Sequence, residues 1–150
     1  MQTLKNCCIV LSFLFLALMP ASGQQGSRIK HSSVCLARTH YKEFASSYVA
    51  IDAAVFADGM HGVILLDDKC PNLGLILGVA LPGADHSVAD FDKILWSSGS
   101  PGPAGAKITG SFVGRLRRDP KTRRIHYDLL SVENLRVANA SDAQPGVPPS

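Results

Sequence analysis

Six cations crowd into ten residues in the second half of the chain: Arg115, Arg117, Arg118, Lys121, Arg123 and Arg124, offset there only by Asp119. Clustered guanidinium groups can grip phosphates or carboxylates through paired N–H donors. The same composition also suits a solvated hairpin whose charges discourage edge pairing. Tyr127, just beyond the cluster, is the aromatic closest to hand, so the candidate ligand set is Arg115, Arg117, Arg118, Arg123, Arg124 and Tyr127.

Four cysteines offer a second chemistry: Cys7, Cys8, Cys35 and Cys70. Cys7 and Cys8 open an apolar run of 13 residues ending at Met19, preceded by Lys5 and followed by Pro20 and Ala21-Ser22-Gly23. A basic start, an apolar stretch of this length and small residues at a cleavage point make a secretory signal peptide, with cleavage expected near Gly23. The run is too short to serve well as a membrane anchor, and no stretch long enough to span a bilayer follows it. Lys5 is the only charge removed, so the net charge of +3 falls to +2. Cys35 and Cys70 then remain. Two cysteines in an exported chain are expected to pair, although two free thiols or a metal pair are the alternatives. A bridge would close a loop of about 35 residues and stabilise by about 4 kcal/mol in the chain-entropy picture.

A metal site assembled from His61, Asp67 and Asp68 with His40 or His86 lacks ligand spacing to support it, and Asp67-Asp68 reads more simply as a turn. No cofactor motif is present. Signatures for serine hydrolases, zinc peptidases, nucleotide phosphates and β-lactamases are missing, so an enzyme is not indicated; a thiol nucleophile at Cys35 or Cys70 would compete with disulfide formation. Nucleic acid is a poor fit as a partner. Single-strand binders stack bases on aromatics, and residues 60–81 contain no Phe, Tyr or Trp.

These residues need a scaffold. With 46% hydrophobic and 18% charged residues and a mean hydropathy of +0.13, the chain is not a disordered polyelectrolyte, and 150 residues suffice for one domain. Residues 24–33 are polar and are expected to be a flexible leader. Residues 34–44 fit either a short helix or a turn. Tyr48 to Ala57 alternates, with Val49, Ile51, Ala53 and Val55 on one face, and Asp58-Gly59 predicts a hairpin turn into a strand from Met60 to Leu66. The apolar run from Leu73 to Leu81 predicts a strand buried on both faces, with Gly74 and Gly78 marking a bend or bulge. Ser87 with Asp90 resembles a capping box for a helix reaching Trp96, a residue expected to cover the barrel end. After a Gly/Pro/Ser-rich loop, Lys107–Arg117 and Arg123–Leu130 alternate as a strand pair, extended by Val132, Leu135 and Val137. Residues 139–150 are expected to be a disordered tail.

Strand, strand, strand, helix, strand, strand is the element order of an OB-like barrel, so the fold class expected for residues 34–138 is mainly β: a five-stranded OB-like barrel with one helix between strands three and four. Tyr41, Phe44 and Tyr48-Val49-Ala50-Ile51, then Leu66-Asp67-Asp68-Lys69-Cys70-Pro71, Gly110 to Arg115 and Leu130 to Leu135, resemble small exported bacterial proteins with OB-like folds. Where that group often has Gly before the first strand, this chain has Ser46-Ser47. The resemblance implies a fold and brings no activity. The expectation is therefore a periplasmic or secreted, non-enzymatic binding module of the cell envelope, taking an anionic envelope ligand through the basic hairpin. The alternatives are a protein–protein or structural envelope role, and a hydrolase without a recognisable motif.

Overall fold

The computed structural model describes residues 28–57, 62–97 and 107–138. Their strands are β1 (Lys30–Ser32), β2 (Val49–Ala57), β3 (Val63–Leu66), β4 (Gly74–Ala80), β5 (Lys107–Arg118) and β6 (Ile125–Ala138). Three helices accompany them: α1 (Val34–Thr39), α2 (Tyr41–Phe44) and α3 (His86–Ser97). Alternation explains the longest strand faces. Val49, Ile51, Ala53, Val55 and Ala57 of β2 are buried, and Ile108, Phe112 and Leu116 of β5 face the same interior.

β2 pairs antiparallel with both β3 and β5, β3 with β4, and β5 with β6; β4 pairs parallel with β6. The ring β2–β3–β4–β6–β5 therefore returns to β2 and leaves no open sheet edge within it. A mainly β, five-stranded barrel with α3 between its third and fourth strands is thus what the chain forms. β1 lies outside the ring, parallel to the start of β2.

The barrel interior is filled. Ile51, Leu65, Leu75, Phe112 and Tyr127 are fully buried, and Phe91 of α3 meets Phe112 edge to face with ring centroids 5.5 Å apart. Val34 and Ala37 of α1 join this core, so the N-terminal helices are integral to it. Ser33 caps α1, its Oγ accepting from Leu36 N at 3.2 Å. The Cys35–Cys70 disulfide, with Cα atoms 6.0 Å apart, ties α1 to the β3–β4 turn.

Several expectations change. The leader expected over 24–33 is ordered at Lys30–Ser32, because β2 starts before β3 reaches it and leaves room for β1. Residues 34–44 resolve into two short helices. The helix cap is Asp85, whose Oδ1 accepts from Ser87 N at 2.8 Å; the Ser87 hydroxyl instead accepts from Val132 N, joining α3 to β6. Asp90 pairs with Lys93 along the helix rather than capping it. The third barrel strand is not buried on both faces, since Val79 is 64% exposed. Trp96 is 69% exposed, so most of its surface faces solvent instead of closing the barrel end. The Asp58-Gly59 turn, the signal peptide, the 98–106 loop and the tail lie outside the described residues.

Candidate functional site

The basic hairpin is held by its one acid. Asp119 Oδ1 accepts from Lys121 N at 2.7 Å and Thr122 N at 2.8 Å, while Arg123 N donates to Asp119 O at 3.0 Å. These backbone donors favour the ionised carboxyl and hold Asp119 below the usual aspartate value. Arg123 takes a left-handed conformation, with φ of 61°, which lets the chain turn back and pair Asp119 N with Arg124 O at 2.9 Å. Lys121, Arg123 and Arg124 consequently stand exposed around the turn.

Below the turn the remaining arginines are fastened to the scaffold. The Arg115 guanidinium lies 4.6 Å from the ring centre of Tyr48, and that of Arg118 lies 4.8 Å from Tyr41 on α2. Stacking on an aromatic face fixes the plane of a guanidinium without neutralising it. Arg118 Nε is the only buried side-chain donor lacking an acceptor among the described residues.

Arg117 behaves differently. Its Nε donates to Asp128 Oδ2 at 2.7 Å and its Nη2 to Asp128 Oδ1 at 3.1 Å, a two-point ion pair whose hydrogen bond raises the Arg117 pKa. The Asp128 side chain is 7% exposed, whereas that of Arg117 is 46% exposed. Val79 N donates to the same Asp128 Oδ1 at 3.2 Å, where the β4–β6 register shifts between Leu77 and Ala80. A bulge strands a backbone donor, and the carboxylate satisfies it. Gly78 leaves the space: a Cβ there would stand 1.9 Å from Asp128 Oδ1. Gly114, at the second register shift of β5–β6, likewise makes room for Asp128 O.

Tyr127 does not belong to the hairpin surface. It is fully buried, and its hydroxyl lies 2.5 Å from Val49 O and 2.7 Å from Phe112 O, giving its single proton to one carbonyl at a time. Burial pushes its pKa up. An inward position in β6, between Ile125 and Leu129, makes it a core residue.

The sequence pointed to neither Tyr41 nor Tyr48 as an arginine platform, nor to Asp128 as a partner. Only the alternation of β6, which turns Asp128 to the same outer face as Arg117, carries that last signal.

The two sulfurs are bonded to each other beside Asp67, whose Oδ2 lies 4.0 Å from Cys35 Sγ. Asp67 Oδ1 also accepts from Lys69 N, as expected of a turn. His40 sits beside Thr39 and His86 beside Asp85, each on its own helix end, while His61 lies outside the described residues. A groove of about 470 Å³ opens beside it on the barrel wall, lined by Asp52, Asp67 and Asp68 with Lys107 and Arg136. Ser111 donates to Asp52 across it.

No family model matches the chain, nor does any curated protein or solved structure.

Proposed function

We propose that this chain is an exported, non-enzymatic binding module of the cell envelope, built on an OB-type barrel, that takes an anionic ligand on its basic hairpin. The observation that carries the proposal is the fixing of Arg115 and Arg118 on Tyr48 and Tyr41 beside the exposed Lys121, Arg123 and Arg124. Cations held in place lose less freedom when an anion arrives, so more of the interaction appears as affinity. Arg117 supports the surface mainly as a strut, since Asp128 already satisfies two of its donors.

The OB assignment is supported by the ring order and by the parallel closure of the third barrel strand against the fifth. Export is supported by the Cys35–Cys70 disulfide together with the signal-like N-terminus. Among the described residues, no helix is long and apolar enough to cross a membrane. A second reading, a protein–protein role, is favoured by one observation: the β4 end carries an exposed Val79.

The test is binding of heparin to the chain beginning at Gln24, beside a variant with Arg123→Asn and Arg124→Ser. Asn tolerates the left-handed backbone at position 123. Binding by the native chain and marked loss in the variant supports the proposal; salt-independent self-association without heparin binding supports the second reading.

A further inference from the structure

We propose that the hairpin and the N-terminal helices form one face that docks on a bilayer containing anionic phospholipids; this rests on the hairpin being an anion-binding surface.

The first ground is the distribution of charge. Residues 28–48 and 114–128 carry ten lysines and arginines against only Glu43, Asp119 and Asp128. Two of these acids are already committed, Asp119 to the turn and Asp128 to Arg117. The other described residues carry four cations against seven acids. The small net charge of +3 therefore hides a strongly polarised molecule.

The second ground is that the two basic segments are joined in space. Arg118 of β5 lies on Tyr41 of α2, and Arg115 on Tyr48 where β2 is about to begin. Arg38 of α1 donates to Gly74 O at 2.5 Å, two residues ahead of the Ile76–His126 pairing and so level with the start of β6. α1, α2 and the hairpin thus lie toward one end of the barrel. The groove on the barrel wall is lined by other residues, is itself rich in carboxylates, and meets α1 at Asp67, beside Cys35. An extended cationic face of this kind suits a surface bearing many phosphates.

The third ground selects lipid over a soluble polyanion. Ile29 and Leu36 are exposed at 44% and 52%, and both lie within the basic N-terminal segment, flanked by Arg28, Lys30 and Arg38. Leu36 is held outward because Val34 and Ala37 anchor the other face of α1 and the disulfide fixes its first turn. An apolar side chain beside cations gains by entering the boundary between headgroups and acyl chains, and gains little from a hydrated sugar polymer.

Every core residue among the described residues lies after Gln24, so the chain beginning there is used, with its disulfide intact. Co-sedimentation is measured with phosphatidylcholine vesicles, with phosphatidylcholine–phosphatidylglycerol vesicles, and against heparin, over about 50 to 500 mM salt. The expected result is binding to the phosphatidylglycerol vesicles alone among the two, weakening steeply with salt. Arg123→Asn with Arg124→Ser lowers that binding about 30-fold. Leu36→Ser lowers it about fivefold while leaving heparin binding unchanged. Because Leu36 is half exposed, this variant is expected to unfold at the native temperature, which separates a surface effect from a folding one. Heparin binding without vesicle binding, or vesicle binding indifferent to Leu36→Ser, overturns the lipid inference and leaves the anion surface standing. Failure to bind either probe overturns both.

Discussion

The Arg117–Asp128 pair sits where the β4–β6 bulge meets the basic surface. Replacing Arg117 by Met keeps an apolar stem but strands a carboxylate whose side chain is 7% exposed, with Val79 N–H as its remaining donor. Leaving a buried carboxylate without its cation costs about 3 kcal/mol. Asp128→Ala is less damaging. Arg117 is 46% exposed and can turn to water, so the main penalty is the unsatisfied Val79 N–H and the lost packing, about 2 kcal/mol. In the double variant no charge is stranded, and the cost stays at about 2 kcal/mol instead of the roughly 5 that additivity requires. Urea unfolding of the four proteins, disulfide intact, reads this as midpoint shifts at constant slope. Additive single effects, or an Arg117→Met cost within about 0.5 kcal/mol of zero, would refute the view that a buried carboxylate organises this side of the barrel.

Three further outcomes follow from the same geometry. Gly78→Ala places a methyl group against Asp128 Oδ1 and destabilises by about 2 kcal/mol or more, an effect that shrinks in an Asp128→Ala background when both are unfolded in urea. Replacing Cys35 and Cys70 by Ala costs about 4 kcal/mol in thermal or urea unfolding, because the closed loop is about 35 residues long; α1 then shows the greatest loss of amide-exchange protection. The lowered Asp119 pKa means its folded form binds a proton less readily than the unfolded chain, so its contribution is complete above the ordinary aspartate range. That contribution disappears as the pH falls through the lowered value. The amide shifts of Lys121 and Thr122 are expected to titrate with a midpoint below that of a free aspartate, and a midpoint at or above it contradicts the turn described here.

The barrel was legible because its strands obey a period of two and its helix a period near 3.6. Val49 to Val55, Ile108 to Leu116 and Ile125 to Leu129 each point to one face by alternation, and no tertiary fact is needed to find them. The Cys35–Cys70 bridge follows from counting the cysteines left beyond the signal-like N-terminus. Less could be read where tertiary contacts decide. β1 has only three residues and exists because β2 offers it an edge. Asp85 displaced Ser87 as cap because β6 supplied Val132 N to the Ser87 hydroxyl. Closeness in sequence to the arginines puts Tyr127 in the ligand set, although its own alternation turns it inward. The arginine platforms Tyr41 and Tyr48 are more than sixty residues from their partners and have no local signature. Gly78 is visible as an irregularity in its strand, but the carboxylate that requires it is not.

A salt series separates hairpin arginines that form a working anion surface from arginines that only solvate the hairpin. Heparin affinity of the chain from Gln24 should fall steeply as salt rises, with a shallower slope for the Arg123→Asn, Arg124→Ser variant, because fewer charge contacts are left to screen. Native and variant chains with the same weak affinity and the same slope would contradict the account and leave the arginines as surface charge.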